Sequence, residues 1–161
     1  MRRFSKVGMS AAAVALAASG IVTALAGPAS AKGGPHGKVT CTSMNGSTGS
    51  GTITLSGCSG TATPGTGGSS QPLSIAVLAA GGTVTWINNQ TTTFGAPNLV
   101  GGNPKHCPGY AKGASSEPSD EKFSGQVTAD TTGMKVPGKY KGEVCIDQSG
   151  NITARKPLKI S

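Results

Sequence analysis

Gly82-Thr83-Val84-Thr85-Trp86-Ile87, then Asn88-Asn89, then Gln90-Thr91-Thr92-Thr93-Phe94: apolar and polar residues alternate on both sides of a two-residue turn signal. Alternation with period two puts Val84 and Trp86 on one face and Thr83 and Thr85 on the other, so the segment reads as a β-hairpin with the only tryptophan at its centre. The pattern recurs in both directions. Upstream, Lys38-Val39-Thr40-Cys41-Thr42 and Thr52-Ile53-Thr54-Leu55-Ser56 flank the turn-rich Asn45 to Gly49 and form a second hairpin. Leu73 to Leu78 is a candidate strand, although six such residues also suit a helical turn.

Downstream, Lys122 to Thr128, Lys139 to Ile146, Asn151 to Ala154 and Leu158 to Ile160 repeat the short alternating run, and no leucine-rich period of 3.6 appears after residue 31. The fold expected is all-β: an antiparallel sandwich of about seven or eight strands, with a barrel as the second choice, paired largely in chain order. Two stretches lack the pattern. Residues 59–72 are mostly Gly, Ser, Thr and Pro and read as a flexible loop. Residues 96–121 carry Pro97, Pro104, Pro108 and Pro118 and read as a long loop, of a length that is usually functional or poorly ordered.

The N-terminus has its own grammar. Arg2, Arg3 and Lys6 precede an apolar run from Ala11 to Leu25, and Ala29-Ser30-Ala31 supplies small residues for cleavage, so residues 1–31 read as a signal peptide. A membrane anchor fits less well because Ser19, Gly20 and Thr23 interrupt the run. Residues 32–161 would then form a single exported domain with 11 basic and 6 acidic residues, a net charge of +5. That excess suits anionic polymers or plain solubility, and it does not bear on fold.

Cys41, Cys58, Cys107 and Cys145 all fall after residue 31, and an even count in an exported chain reads as a disulfide framework. The pairing expected is Cys41 with Cys58, closing the first hairpin, and Cys107 with Cys145, tying the long loop to a strand. Cys58 has the opposite parity to Ile53 and Leu55, so the first bond needs a bulge or strand end at Gly57. Cys145 is opposite in parity to Val144 and Ile146, so the second should sit on the outer face and clamp the loop over the sheet.

Gly37-Lys38-Val39-Thr40-Cys41, Gly82 to Trp86, Cys107-Pro108, Thr128 to Gly133 and Gly142-Glu143-Val144-Cys145 together resemble a group of small secreted proteins of actinobacteria. The resemblance implies export and a β fold, and it transfers no functional residue, since the group has no assigned activity.

The residues offer little for catalysis. There is no G-x-S-x-G elbow and no C-x-x-C, and of the two histidines His36 lies in a Gly-rich segment while His106 sits between Lys105 and Cys107. Glu117-Pro118-Ser119-Asp120-Glu121 reads as a solvated acidic turn, because the calcium-loop pattern is missing. Trp86 and Tyr140 could stack on sugars or bases, but a chain with so few aromatics needs them in its core. No cofactor and no metal site is expected.

What remains is cationic. Lys139 and Lys141 point the same way on one strand, opposite to Tyr140, and Lys122, Lys135, Arg155 and Lys156 border it, so these six are the candidate polyanion-binding residues. The expected function is a secreted, non-enzymatic binding domain whose candidate partner is an anionic cell-surface polymer. The alternative is a small secreted hydrolase or inhibitor built on residues 96–121, with His106 as its working group.

Overall fold

The computed structural model describes residues 36–114 and 116–161, and the expected signal peptide lies outside them. Nine strands follow in order: β1 (Val39–Ser47), β2 (Thr52–Ser59), β3 (Leu73–Ser74), β4 (Gly82–Thr85), β5 (Thr91–Phe94), β6 (Asn98–Gly101), β7 (Ser119–Asp130), β8 (Gly138–Ile146) and β9 (Asn151–Ile160). They make one antiparallel sheet in the order β3-β2-β1-β9-β8-β7-β5-β4, with β6 on β7 alongside β5. Neighbours in sequence are mostly neighbours in space. The exception that shapes the molecule is β9, which inserts between β1 and β8 and so joins the two ends of the chain.

The sheet curls until its edges nearly meet, giving a barrel from one sheet. Residues 69–71 bridge the gap: Ser70 N–H donates to the Leu55 carbonyl at 2.9 Å, Gln71 N–H to the Thr85 carbonyl at 2.8 Å and Ile87 N–H to the Ser69 carbonyl at 3.1 Å. The stretch 59–72 therefore corrects the expectation of a flexible loop. It holds a short helix, α1 (Thr63–Thr66), and uses its backbone to satisfy the exposed edges of β2 and β4. Leu73 begins the two-residue β3, and Ile75–Ala80 takes the helical option as α2.

The interior packs Trp86, Phe94, Met44, Leu55, Val39, Val84, Val127 and Ile160. Trp86 Nε1 donates to Thr92 Oγ1 at 2.8 Å, and Thr92 Oγ1 donates to Asp130 Oδ1 at 2.6 Å, so the one buried indole N–H is satisfied. Tyr140 is buried against Phe94, with its hydroxyl donating to the Gly95 carbonyl at 2.7 Å. Gly125, in register with Tyr140, leaves the space that the ring fills.

Both disulfides pair as the sequence suggests, Cys41 with Cys58 and Cys107 with Cys145. Cys41 and Cys58 are directly opposed, 3.8 Å apart at Cα, and both face the core. In β1 the buried positions run Val39, Cys41, then Met44, and in β2 they run Ile53, Leu55, then Cys58, so each strand changes face once, around Thr42 and Gly57. Gly57 takes φ +60° there, a left-handed conformation suited to glycine.

Candidate functional site

Four strands, β6 to β9, present a polar outer face. Direct opposition across the sheet gives two rungs, Val100–Lys122–Glu143–Lys156 and Asn98–Ser124–Lys141–Lys159. Residues directly opposed share a face, so these side chains converge. They border a groove of about 520 Å³ that takes in Lys122, Lys141, Lys156 and Lys159. At a strand spacing of about 4.8 Å, Lys141 and Lys159 are next to each other while Lys122 and Lys156 are about 10 Å apart.

A bulge makes this arrangement. The pairing of β8 with β9 slips by one residue between Lys141 and Glu143 and by another between Glu143 and Val144. In a regular strand Arg155 and Lys156 would point to opposite faces. Here both reach Glu143, Lys156 Nζ at 2.8 Å and Arg155 Nη1 in direct contact. Pro157, which lacks an N–H, sits in the same irregular stretch and lines the groove.

Of the six cations singled out in the sequence, three gather in the groove: Lys122, Lys141 and Lys156. Lys139 follows the same face of β8 but lies opposite Gln126, beyond the groove. Lys135 stands in the turn before β8. Arg155 corrects the expectation of an exposed stripe, because its guanidinium is turned into a charge cluster. Lys159 was missed, although the alternation Leu158-Lys159-Ile160 already sets it opposite two core residues.

The charge cluster lies beside the groove, under the long loop. That loop is shorter than residues 96–121, since Asn98–Gly101 pairs with β7 as β6 and Ser119–Glu121 belongs to β7 itself. Cys145 is on the outer face of β8, where its bond to Cys107 pins the loop over Asp120 and Glu143. The side chain of Asp120 is 0% exposed and that of Glu143 3%. Asp120 is thus no part of a solvated turn. Its Oδ2 accepts from Asn103 N–H at 2.9 Å and lies 3.6 Å from Arg155 Nη1, while Oδ1 has no hydrogen-bond partner among the described residues. Arg155 is the cation between the two buried carboxylates, and burial on this scale needs such a partner.

His106 closes the cluster on its solvent side. It sits in the one-turn 3₁₀ helix Pro104–His106, with Nδ1 3.9 Å from Asp120 Oδ2 and half its side chain exposed. An imidazole beside a carboxylate is one element of a hydrolytic device. All four cysteines are in disulfides, so no thiol stands with it. Trp86 and Tyr140 are buried in the interior, which removes them as stacking platforms. Among the described residues no group of three or more His, Cys, Asp or Glu is placed to hold a metal ion, and no helix is long and apolar enough to cross a membrane.

A scan against family models, a search of curated proteins and a search of solved structures each found no match to this chain.

Proposed function

We propose that the chain is exported and that its barrel is a non-enzymatic binding domain, which takes an anionic cell-surface polymer into the groove across β6 to β9. The observation that carries this reading is the convergence of Lys122, Lys141, Lys156 and Lys159 from three strands on one groove. Among the described residues the one acid lining it, Glu143, already pairs with Arg155 and Lys156. A row of such cations attracts a run of phosphates or carboxylates by charge and by release of the polymer's counterions. Two disulfides accord with an oxidising compartment.

The test is binding to a teichoic acid or heparin at low salt by the wild type, by K141Q/K159Q and by K135Q. Lys141 and Lys159 are both exposed, so their loss should leave the fold intact. K141Q/K159Q should bind at least tenfold more weakly, and K135Q should bind as the wild type does. Equal binding by all three would refute the groove as the site.

The apposition of His106 and Asp120 supports a second reading, a small hydrolase. Hydrolysis of a peptide, ester or glycoside panel that disappears in H106A would establish it.

A further inference from the structure

A sheet edge left bare is a place for another strand to join. Residues 69–71 cover the edges of β2 and β4, but β6 pairs with β7 on one side only. Asn98-Leu99-Val100-Gly101 is exposed at every residue, Leu99 at 56% and Val100 at 52%. Edges are ordinarily blunted by charge, by proline or by a covering loop, and this stretch holds neither a charge nor a proline.

The register decides which backbone groups of β6 are free. Gly102 N–H donates to the Asp120 carbonyl at 2.5 Å, and hydrogen-bonded and non-bonded pairs alternate along an antiparallel ladder. Carried through Gly101–Glu121, Val100–Lys122 and Leu99–Phe123, the alternation makes Val100–Lys122 a bonded pair and turns the N–H and C=O of Leu99 and Gly101 away from β7. Among the described residues no turn, loop or cap bonds to them. The next outward positions are closed. Pro97 has no N–H, and Asn103 gives its own to Asp120 Oδ2 at 2.9 Å.

We infer that two copies of the chain join antiparallel along β6, about a two-fold axis at Val100. Leu99 of each copy exchanges both its backbone hydrogen bonds with Gly101 of the other, and the two Val100 side chains meet on the outer face, about 4.5 Å apart at Cα. Centring the pair on Leu99 would set Pro97 against Gly101, and centring it on Gly101 would set Asn103 against Leu99, so the edge is self-complementary in this register alone. Charge fits the same occupant. The chain is basic, and an uncharged strand is where two such copies can touch. The Lys122 side chains of the two copies stand three strand spacings apart, about 14 Å, beyond the screening length of about 8 Å at physiological ionic strength. Strands this short cover less than the roughly 1,000 Å² of a lasting interface, so the pair is weak and depends on concentration. It does not rest on the polyanion reading of the groove.

Sedimentation of the secreted protein from micromolar to millimolar concentration, with the amide NMR signals of Leu99 and Gly101 followed in parallel, tests the pairing. A monomer–dimer equilibrium should shift these two amides, and added salt should strengthen it by screening the repulsion between copies. Teichoic acid binding responds to salt in the opposite sense, so the two readings fail separately. V100K sets like charges face to face at the axis and should weaken self-association at least tenfold, while its added cation at the rim of the groove leaves teichoic acid binding undiminished. G101P removes the outward N–H at a position where an added Cβ meets no atom within 4 Å, and it should weaken the dimer to a similar degree. A monomer throughout the range, even one whose edge takes up an extended peptide instead, would overturn the proposal. So would a dimer that leaves the Leu99 and Gly101 amides unshifted, or V100K associating as the wild type does.

Discussion

Replacing Arg155 by methionine keeps most of the volume of the side chain and removes the cation between Asp120 and Glu143. Arg155 lies in contact with Glu143 and 3.6 Å from Asp120, and the two acids are 3% and 0% exposed. Breaking a buried pair on one side typically costs about 3–5 kcal/mol, because a charge is left in a medium that solvates it poorly. Lys156 is the internal control. It reaches the same Glu143 at 2.8 Å, but its own side chain is 62% exposed. Water replaces most of what its removal takes away, so K156M should cost about 1 kcal/mol or less. Urea unfolding at pH 7 measures both, with the disulfides intact so that the transition stays two-state. R155M/E143Q should recover part of the deficit, since it removes one of the stranded charges. A deficit in R155M no larger than in K156M, or one that E143Q leaves undiminished, would refute the assignment of Arg155 as the counterion of this cluster.

Removing the Cys107–Cys145 bond, which spans 38 residues, should cost about 4 kcal/mol on loop-closure entropy, against about 3 for the bond of separation 17 between Cys41 and Cys58. Limited proteolysis of C107A/C145A should cut within residues 102–118 before any strand. Equal resistance of this variant and the wild type would show that the bond does not hold the loop. Burial pushes the Tyr140 phenol above its ordinary value. The unfolded chain therefore loses this proton first, and stability should fall as the pH rises past about 10, an effect that unfolding of Y140F at high pH should lack. Protein recovered from culture medium should begin at Lys32 by intact mass, and retention of residues 1–31 would contradict cleavage after Ala31.

The elements most legible in the sequence were those in which side chains alternate across a face. Val84 and Trp86, Tyr140 and Val144, and the parity of Cys145 all declare which side of the sheet they occupy, whereas Cys58 reaches the core only through the change of face at Gly57. Elements held mainly by backbone left no such mark. Residues 69–71 close the barrel through main-chain N–H and carbonyl groups, which any Ser- and Gly-rich stretch carries. Asn98–Gly101 is exposed at every residue and is a strand because β7 extends beside it. Asn151 to Ala154 and Leu158 to Ile160 read as two separate runs, yet β9 continues through Pro157 between them because bulges accept a residue without an N–H.

The charged face was half legible for the same reason. Lys139 and Lys141 follow from simple alternation, and the groove needed the register of four strands before Lys122, Lys156 and Lys159 could join Lys141. The fate of Arg155 depended on a bulge and on a loop folded over it by a distant cysteine, neither of which local pattern encodes.

Binding of the wild-type domain to teichoic acid across a series of salt concentrations tests the central claim most directly. If Lys122, Lys141, Lys156 and Lys159 each neutralise one anionic group, the logarithm of the binding constant should fall linearly with the logarithm of salt, with a slope of about −3. In K141Q/K159Q the slope should drop to roughly half that value. A slope near zero in the wild type, or the same slope in both proteins, would contradict a polyanion site in the groove.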